Sequence, residues 1–135
     1  MPLINWDDKY SVGITEFDNQ HKTLLDSVNT LFENMMSSID EDTPHKAVVE
    51  LTGYAKVHFD AEEKAMAEFN YPDMEEHLKE HNFFKQKIAD FEKDTGNAPT
   101  VLAFNIFNFI RTWILHHILV VDKKYTNFFN KNGLK

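Results

Sequence analysis

The stretch LTGYAKVHFDAEEKAMAEFNYPDMEEHLKEH, residues 51–81, carries two pairs of ligand-type side chains on either side of a break. His58 and Glu62 stand four apart before it, His77 and His81 four apart after it, and Asn70-Tyr71-Pro72 lies between. Residues four apart on a helix share a face, so each half predicts a helix that presents two metal-type donors together. The same faces carry Leu51, Ala55 and Ala65 in the first half, and Phe84 and Ile88 beyond the second. That stripe turns the four polar side chains inward. Unpartnered imidazoles and carboxylates are costly to bury, so something inside has to satisfy them.

Working outward, Asp18 or a neighbour is expected to cap a first helix whose inward face reads His21, Leu24, Val28, Leu31, Phe32 and Met35, fading near Ser37-Ser38. Thr43-Pro44 reads as a capping hydroxyl with proline in the first turn, and the stripe Val48, Leu51, Ala55, His58, Glu62, Ala65 follows. Pro72-Asp73 opens a third helix, in which Met74, His77, His81, Phe84, Ile88 and Phe91 recur at steps of three and four. Asp94-Thr95-Gly96-Asn97 stops it, and Pro99 helps start a fourth whose apolar residues cover most of its circumference from Val101 to Val121. Trp6, Tyr10, Val12, Ile14 and Phe17 are placed to lay an extended arm across the domain.

Helices joined by short connections run antiparallel. The expected fold is therefore all-α, an up-down-up-down antiparallel four-helix bundle with an extended N-terminal arm. It divides as arm 1–17, bundle 18–125 and tail 126–135, in one domain. Phe128 and Phe129 in the tail suit either intramolecular docking or a subunit contact.

Composition narrows the chemistry. The 135 residues suffice for one core, and the formal charge of -8 with pI near 5.3 argues against nucleic acid and anionic membrane surfaces as partners. With no cysteine there is no disulfide, thiolate metal site or thiol nucleophile. The start MPLINWDDKY lacks a basic region followed by an apolar run, so a cytoplasmic location is expected. Residues 101–121 are the most membrane-like segment, but Asn105, Asn108, Arg111, His116 and His117 interrupt it. A central arginine and two histidines are costly in lipid, and a buried helix is the expected reading.

A lone histidine on an apolar helix face is more often a hydrogen-bonded core residue than a ligand. Here the bundle changes that reading. His21 sits near the start of the first helix, His58 and Glu62 near the end of the second, His77 and His81 near the start of the third, and His117 and Asp122 near the end of the fourth. In an up-down bundle these all lie at one end, so four segments deliver ligands to one level. His45, beside Pro44, belongs with the ordinary surface residues.

Five imidazoles and two carboxylates exceed the needs of one ion, so two are implied. If both carboxylates and one solvent oxygen bridge, a three-to-two division of imidazoles leaves one metal six-coordinate and the other with an open position for a small ligand. His117 and Asp122 are five apart, about 140° around a regular α-helix. A π-type or loosened turn is therefore expected between them. His116 rivals His117, with only a mild geometric preference between the two.

The set Ile4-Asn5-Trp6, FDNQH ending at His21, HFDAEE from His58, HLKEH from His77 to His81 and HILVVD from His117 to Asp122 resembles the hemerythrin family, specifically its single-domain bacterial type, over nearly the whole chain. The resemblance implies a non-haem di-iron centre, two iron ions with a bridging oxo or hydroxo group, that binds dioxygen reversibly. It implies His77, His81 and His117 on the six-coordinate iron, His21 and His58 on the open one, and Glu62 and Asp122 bridging, and it selects His117 over His116. Such a site requires a dry pocket. Trp113, one turn before His117, is the candidate wall, with Phe59, Ile114, Leu115 and Val120 as further candidates.

Competing readings fare less well. His77-Leu78-Lys79-Glu80-His81 matches a zinc-peptidase pattern, but the further glutamate ligand such a fold needs downstream is absent, since no Glu follows Glu92. A ferritin-like oxidase would show Glu-x-x-His on two helices, a spacing not found here. An O2, nitric oxide or redox sensor remains the alternative to an oxygen carrier, store or supplier. The implied partners are dioxygen and an O2-consuming enzyme or redox partner that the sequence does not identify, and no enzymatic activity is expected.

Overall fold

The computed structural model describes residues 4–94 and 96–135; residues 1–3 of the arm and Thr95 of the third-helix stop lie outside the described residues. Four long helices account for the architecture: α1 (Thr15–Ser37), α2 (Thr43–Glu68), α3 (Met74–Glu92) and α4 (Pro99–His116). α4 runs on through a π turn, His117–Val121, and a 3₁₀ turn, Asp122–Tyr125, into α5 (Thr126–Lys131). α1 packs on α2 and α4, and α3 closes the bundle against the same two helices. The result is the all-α four-helix bundle expected from the periodicity.

The breaks follow local chemistry. α2 ends at Phe69; Asn70 takes a left-handed conformation (φ 57°), Tyr71 N–H donates to Met66 O (2.9 Å) and Asn70 N–H to Ala67 O (3.3 Å). This six-to-one and five-to-two pair satisfies carbonyls that a helix end leaves free, with asparagine in the place glycine most often takes. Pro72 follows and cannot continue the helix.

Two capping expectations are corrected. α1 starts at Thr15, ahead of Asp18, whose carboxylate accepts from Val12 N–H (2.8 Å) and Ser11 O–H (2.6 Å). Asp18 therefore ties the arm to the first turn rather than capping the helix. Thr43 is the first residue of α2, and the Asp40 carboxylate accepts from the N–H groups of Asp42 (2.9 Å) and Thr43 (3.0 Å) while the Thr43 hydroxyl accepts from Asp40 N–H (3.0 Å).

The arm is also less extended than expected. A 3₁₀ turn, Asp8–Tyr10, interrupts it, because the Asp7 carboxylate accepts from Lys9 N–H and its carbonyl from Tyr10 N–H. Two buried hydrogen bonds fix its start, Ile4 N–H to Asn29 Oδ1 (2.8 Å) and Asn29 Nδ2–H to Ile4 O (2.6 Å). Farther on, Thr126 O–H donates to Val12 O (2.6 Å). Gly13 permits that approach: its φ is +73°, and a Cβ there would stand 2.9 Å from Thr126 Cγ2. Arm and tail thus close together over the end of the bundle that holds His21 and His58. Phe129 is wholly buried and Phe128 packs against the core, so the tail docks on its own chain.

The fourth helix is less uniformly covered than its composition implies, since Val101 and Phe104 are exposed. The π and 3₁₀ turns bury His117, Ile118, Val121, Asp122 and Tyr125. The run Pro99–Lys131 is long and apolar enough to cross a membrane by length and composition, yet it carries part of the polar interior described next. Replacing Asn29 with alanine strands two buried backbone groups of Ile4. The expected cost is about 2 kcal/mol, read as a lower urea midpoint with unchanged slope.

Candidate metal centre

The seven side chains singled out by the helical spacing converge at one end of the bundle. His21, Glu62, His81 and Asp122 are 0% exposed, His58 and His117 2% and His77 3%. α1 contributes His21, α2 His58 and Glu62, α3 His77 and His81, and the π turn with the residue after it His117 and Asp122. His116 is exposed and faces a surface groove, away from the set.

The π turn explains the five-residue spacing on the last helix. A regular helix separates positions five apart by about 140°, whereas one residue of widening returns the later one to the same side. His117 Nε2 accordingly stands 2.9 Å from Asp122 Oδ1.

Asp122 sits between two groups of imidazoles. Its Oδ1 is 2.9 Å from His117 Nε2 and 3.1 Å from His77 Nε2; its Oδ2 is 2.9 Å from His21 Nε2 and 3.7 Å from His58 Nε2. Glu62 lies between the same groups, with Oε1 2.9 Å from His58 Nε2 and 3.3 Å from His81 Nε2, and Oε2 3.5 Å from His77 Nε2. Two sets with donor atoms within 4.8 Å of one another result: Glu62, His77, His81 and His117, and His21, His58, Glu62 and Asp122.

These residues fit a pair of metal ions. Both oxygens of Glu62 and of Asp122 are buried without a hydrogen-bond partner, as are the Nε2 atoms of His77, His81 and His117. Donors at metal–nitrogen distances of about 2.0–2.1 Å and at right angles stand about 3 Å apart, close to many of the separations here. An all-nitrogen-and-oxygen set suits iron and other first-row ions.

Without metal the groups hold one another charged. Burial works against charged imidazoles at His58, His77 and His117, but the adjacent carboxylates outweigh it and raise His58 and His77 to about 9 and His117 to about 10. Burial, and for Asp122 the Glu62 charge, opposes ionised carboxylates; the imidazoles prevail and hold both well below the usual range. Metal binding replaces those protons, because bound ligands are deprotonated.

Outer contacts orient two of the rings. His58 Nδ1–H donates to Gln20 Oε1 (2.6 Å) and His81 Nδ1–H to Glu63 Oε2 (3.0 Å), which leaves each Nε2 lone pair facing inward. Aromatic faces fix others: Trp113 stacks on His117 at 4.4 Å and 13°, Phe59 on His81 at 3.9 Å and 10°, Tyr125 on His77 at 5.6 Å and 15°. Tyr125 is wholly buried, and burial followed by the Asp122 and Glu62 charges pushes its phenol well above the ordinary value.

A small internal cavity of about 10 Å³ lies beside His21, His58 and His117, walled by Leu24, Phe59, Trp113, Ile114 and Ile118. Trp113, Phe59 and Ile114 thus stand where a pocket wall was expected. Leu115 and Val120 do not; Leu115 packs against the outer core and Val120 is 46% exposed. The π turn swings Ile118 inward in their stead.

Sequence reasoning did not single out Gln20, Glu63, Tyr125 or the Ile118 wall. Gln20 and Glu63 had a signal, since each adjoins a ligand-type residue, but which neighbour reaches which ring depends on helix packing. Ile118 and Tyr125 depend on where the π turn sits.

A family model described as the hemerythrin HHE cation binding domain matches residues 12–128. A bacteriohemerythrin from Clostridium acetobutylicum is 32% identical over 124 residues, covering 89% of this chain and 96% of the relative. A hemerythrin-like protein from Naegleria gruberi is 33% identical over 121 residues, covering 90% and 89%. Among solved structures, a crystal structure of wild-type hemerythrin superposes with a TM-score of 0.79 at 28% identity, over 93% of this chain and 96% of that one.

Gln20→Leu removes the outer partner of His58 while sparing every inward donor. Metal affinity is expected to fall about 10- to 100-fold, measured by competition with a chelator, with the helical circular dichroism unchanged.

Proposed function

The chain belongs to the hemerythrin family, and from that premise we propose that it binds dioxygen reversibly, as a carrier, store or supplier, at two iron ions held by the converged side chains. His77, His81 and His117 hold one ion, His21 and His58 the other, and Glu62 and Asp122 bridge them. The observation that carries this reading is Asp122: one oxygen faces His77 and His117 and the other faces His21 and His58. A carboxylate placed so is built to serve two metals.

When bound, the iron pair supplies the electrons that dioxygen takes up. The chain's residues determine where and how dry that happens. The cavity adjoins both imidazoles of the smaller set, His21 and His58, together with His117, and is otherwise walled by aliphatic and aromatic side chains. At about 10 Å³ it has room for one water-sized molecule, and an apolar cavity of that size offers water no hydrogen-bond partners. It therefore favours a small apolar ligand over water. Trp113, stacked on His117, separates it from an open groove of about 560 Å³ lined by Lys79, Phe83, Phe109 and His116. The ionised carboxylates and inward-facing Nε2 atoms are already in place, so loading requires loss of imidazole protons rather than movement of side chains.

A cytoplasmic location, and an O2-consuming enzyme or redox partner as the recipient, complete the proposal. The test is iron per chain, then anaerobic reduction, oxygenation and deoxygenation followed by visible absorption. Two irons, with a charge-transfer band that appears with dioxygen and vanishes on its removal, are expected. Irreversible conversion to a ferric state would favour an oxidase or redox sensor instead. Trp113→Ala joins cavity to groove, and conversion to the ferric form is expected to speed up on the order of tenfold; an unchanged rate would return Trp113 to ordinary packing.

A further inference from the structure

His77 is placed differently from the other four imidazoles. Its residue is 3% exposed, yet it lines an open surface pocket of about 280 Å³ together with Tyr71, Asp73, Glu76, Glu80, Val121 and Lys124. His21, His58 and His117 line the small apolar cavity, and the outer nitrogen of His81 is covered by Glu63. The inner nitrogen of His77 has no hydrogen-bond partner and faces Glu62 and Asp122. One ring thus spans the distance from the metal-type donors to the surface.

Electronic coupling falls steeply across non-bonded gaps, so a ligand ring that reaches the surface is the shortest bonded route to the site. The pocket around that ring carries three carboxylates, Asp73, Glu76 and Glu80; Lys79 pairs with Glu76 at the rim (2.9 Å), which leaves two carboxylates against the one ammonium of Lys124. In a chain of formal charge -8 this keeps the potential negative where the route opens. Electron-transfer encounters use small interfaces and rely on charge complementarity for their rate.

We propose that the pocket over His77 is the docking site for a one-electron donor protein with a lysine- or arginine-rich face around its redox group, which returns a diferric site to the diferrous state. The proposal rests on the di-iron reading above. The donor loses one electron per encounter and one ferric ion gains it; two encounters restore the pair, and no bond in the protein is made or broken. The face is opposite in character to the apolar cavity beside His21, His58 and His117, so reductant and gas approach different members of the ligand set.

Two measurements test this. Hexaamminechromium(III), a redox-inert paramagnetic cation, is added to the iron-loaded protein, and amide broadening is scored against hexaamminecobalt(III). Loss is expected at residues 71–80 and 121–124. Reduction of the diferric protein by hexaammineruthenium(II) at low salt is then compared in two variants of equal charge, Glu76→Gln with Glu80→Gln, and Glu33→Gln with Glu41→Gln at the far end of the bundle. The first is expected to slow reduction on the order of three- to tenfold and the second to leave it near wild type. Broadening spread over the acidic surface, or equal slowing by both variants, overturns the docking site while leaving the di-iron reading intact. A chain that takes up no iron overturns both.

Discussion

Four carboxylate oxygens, those of Glu62 and Asp122, are sealed inside a helical bundle with no N–H or O–H donor assigned to them. Burying an unpaired carboxylate costs several kcal/mol even after relaxation, so much of the structure at this end can be read as compensation. Imidazole nitrogens ring the oxygens at 2.9–3.7 Å. Protons on the imidazoles offset part of the charge, and a pair of cations offsets it more completely while using every inward lone pair. Removing any one member leaves the others buried and unbalanced, which is why such a set acts as a unit.

The geometry of the last helix follows from the same constraint. Regular α-geometry would carry Asp122 away from His117, and the chain gives up regularity for one π turn instead. That widening is local because α4 before it and α5 after it are regular, and because arm and tail clamp the segment through Thr126 to Val12 and the buried Phe129. The arm is therefore part of the site's architecture, held in turn by Asn29 and Asp18. Stacked aromatic rings then fix imidazoles that lack an outer hydrogen bond, as Trp113 does for His117, whose Nδ1 has no partner.

Much of this was legible in the sequence because it depends on period. Spacing of three and four places His77, His81, Phe84 and Ile88 on one buried face whatever the neighbours do, and the break at Asn70-Tyr71-Pro72 turns the chain back. Even the π turn was readable, from a five-residue interval that regular geometry cannot serve. What was not legible depends on how one helix rotates against another. Gln20 adjoins His21 but supports His58 on a different helix, and Leu115 and Val120 lost their places at the cavity to Leu24 and Ile118. The capping expectations failed because Asp18 bonds to arm backbone and side chain, and because the Thr43 hydroxyl accepts from Asp40 N–H while it is the Asp40 carboxylate that accepts from the first N–H of α2.

The ligand set is unequal in number and in surroundings. Three imidazoles, His21, His58 and His117, border the small apolar cavity, and a fourth ring, His77, meets a polar pocket open to solvent. On the proposed division of ligands, one iron would have room for a small ligand and the other would be filled. Iron-57 Mössbauer spectroscopy of the dioxygen-loaded protein reads that inequality directly. Two quadrupole doublets of equal area are the predicted result; a single doublet in the loaded protein, or areas that fit one iron per chain, would contradict it.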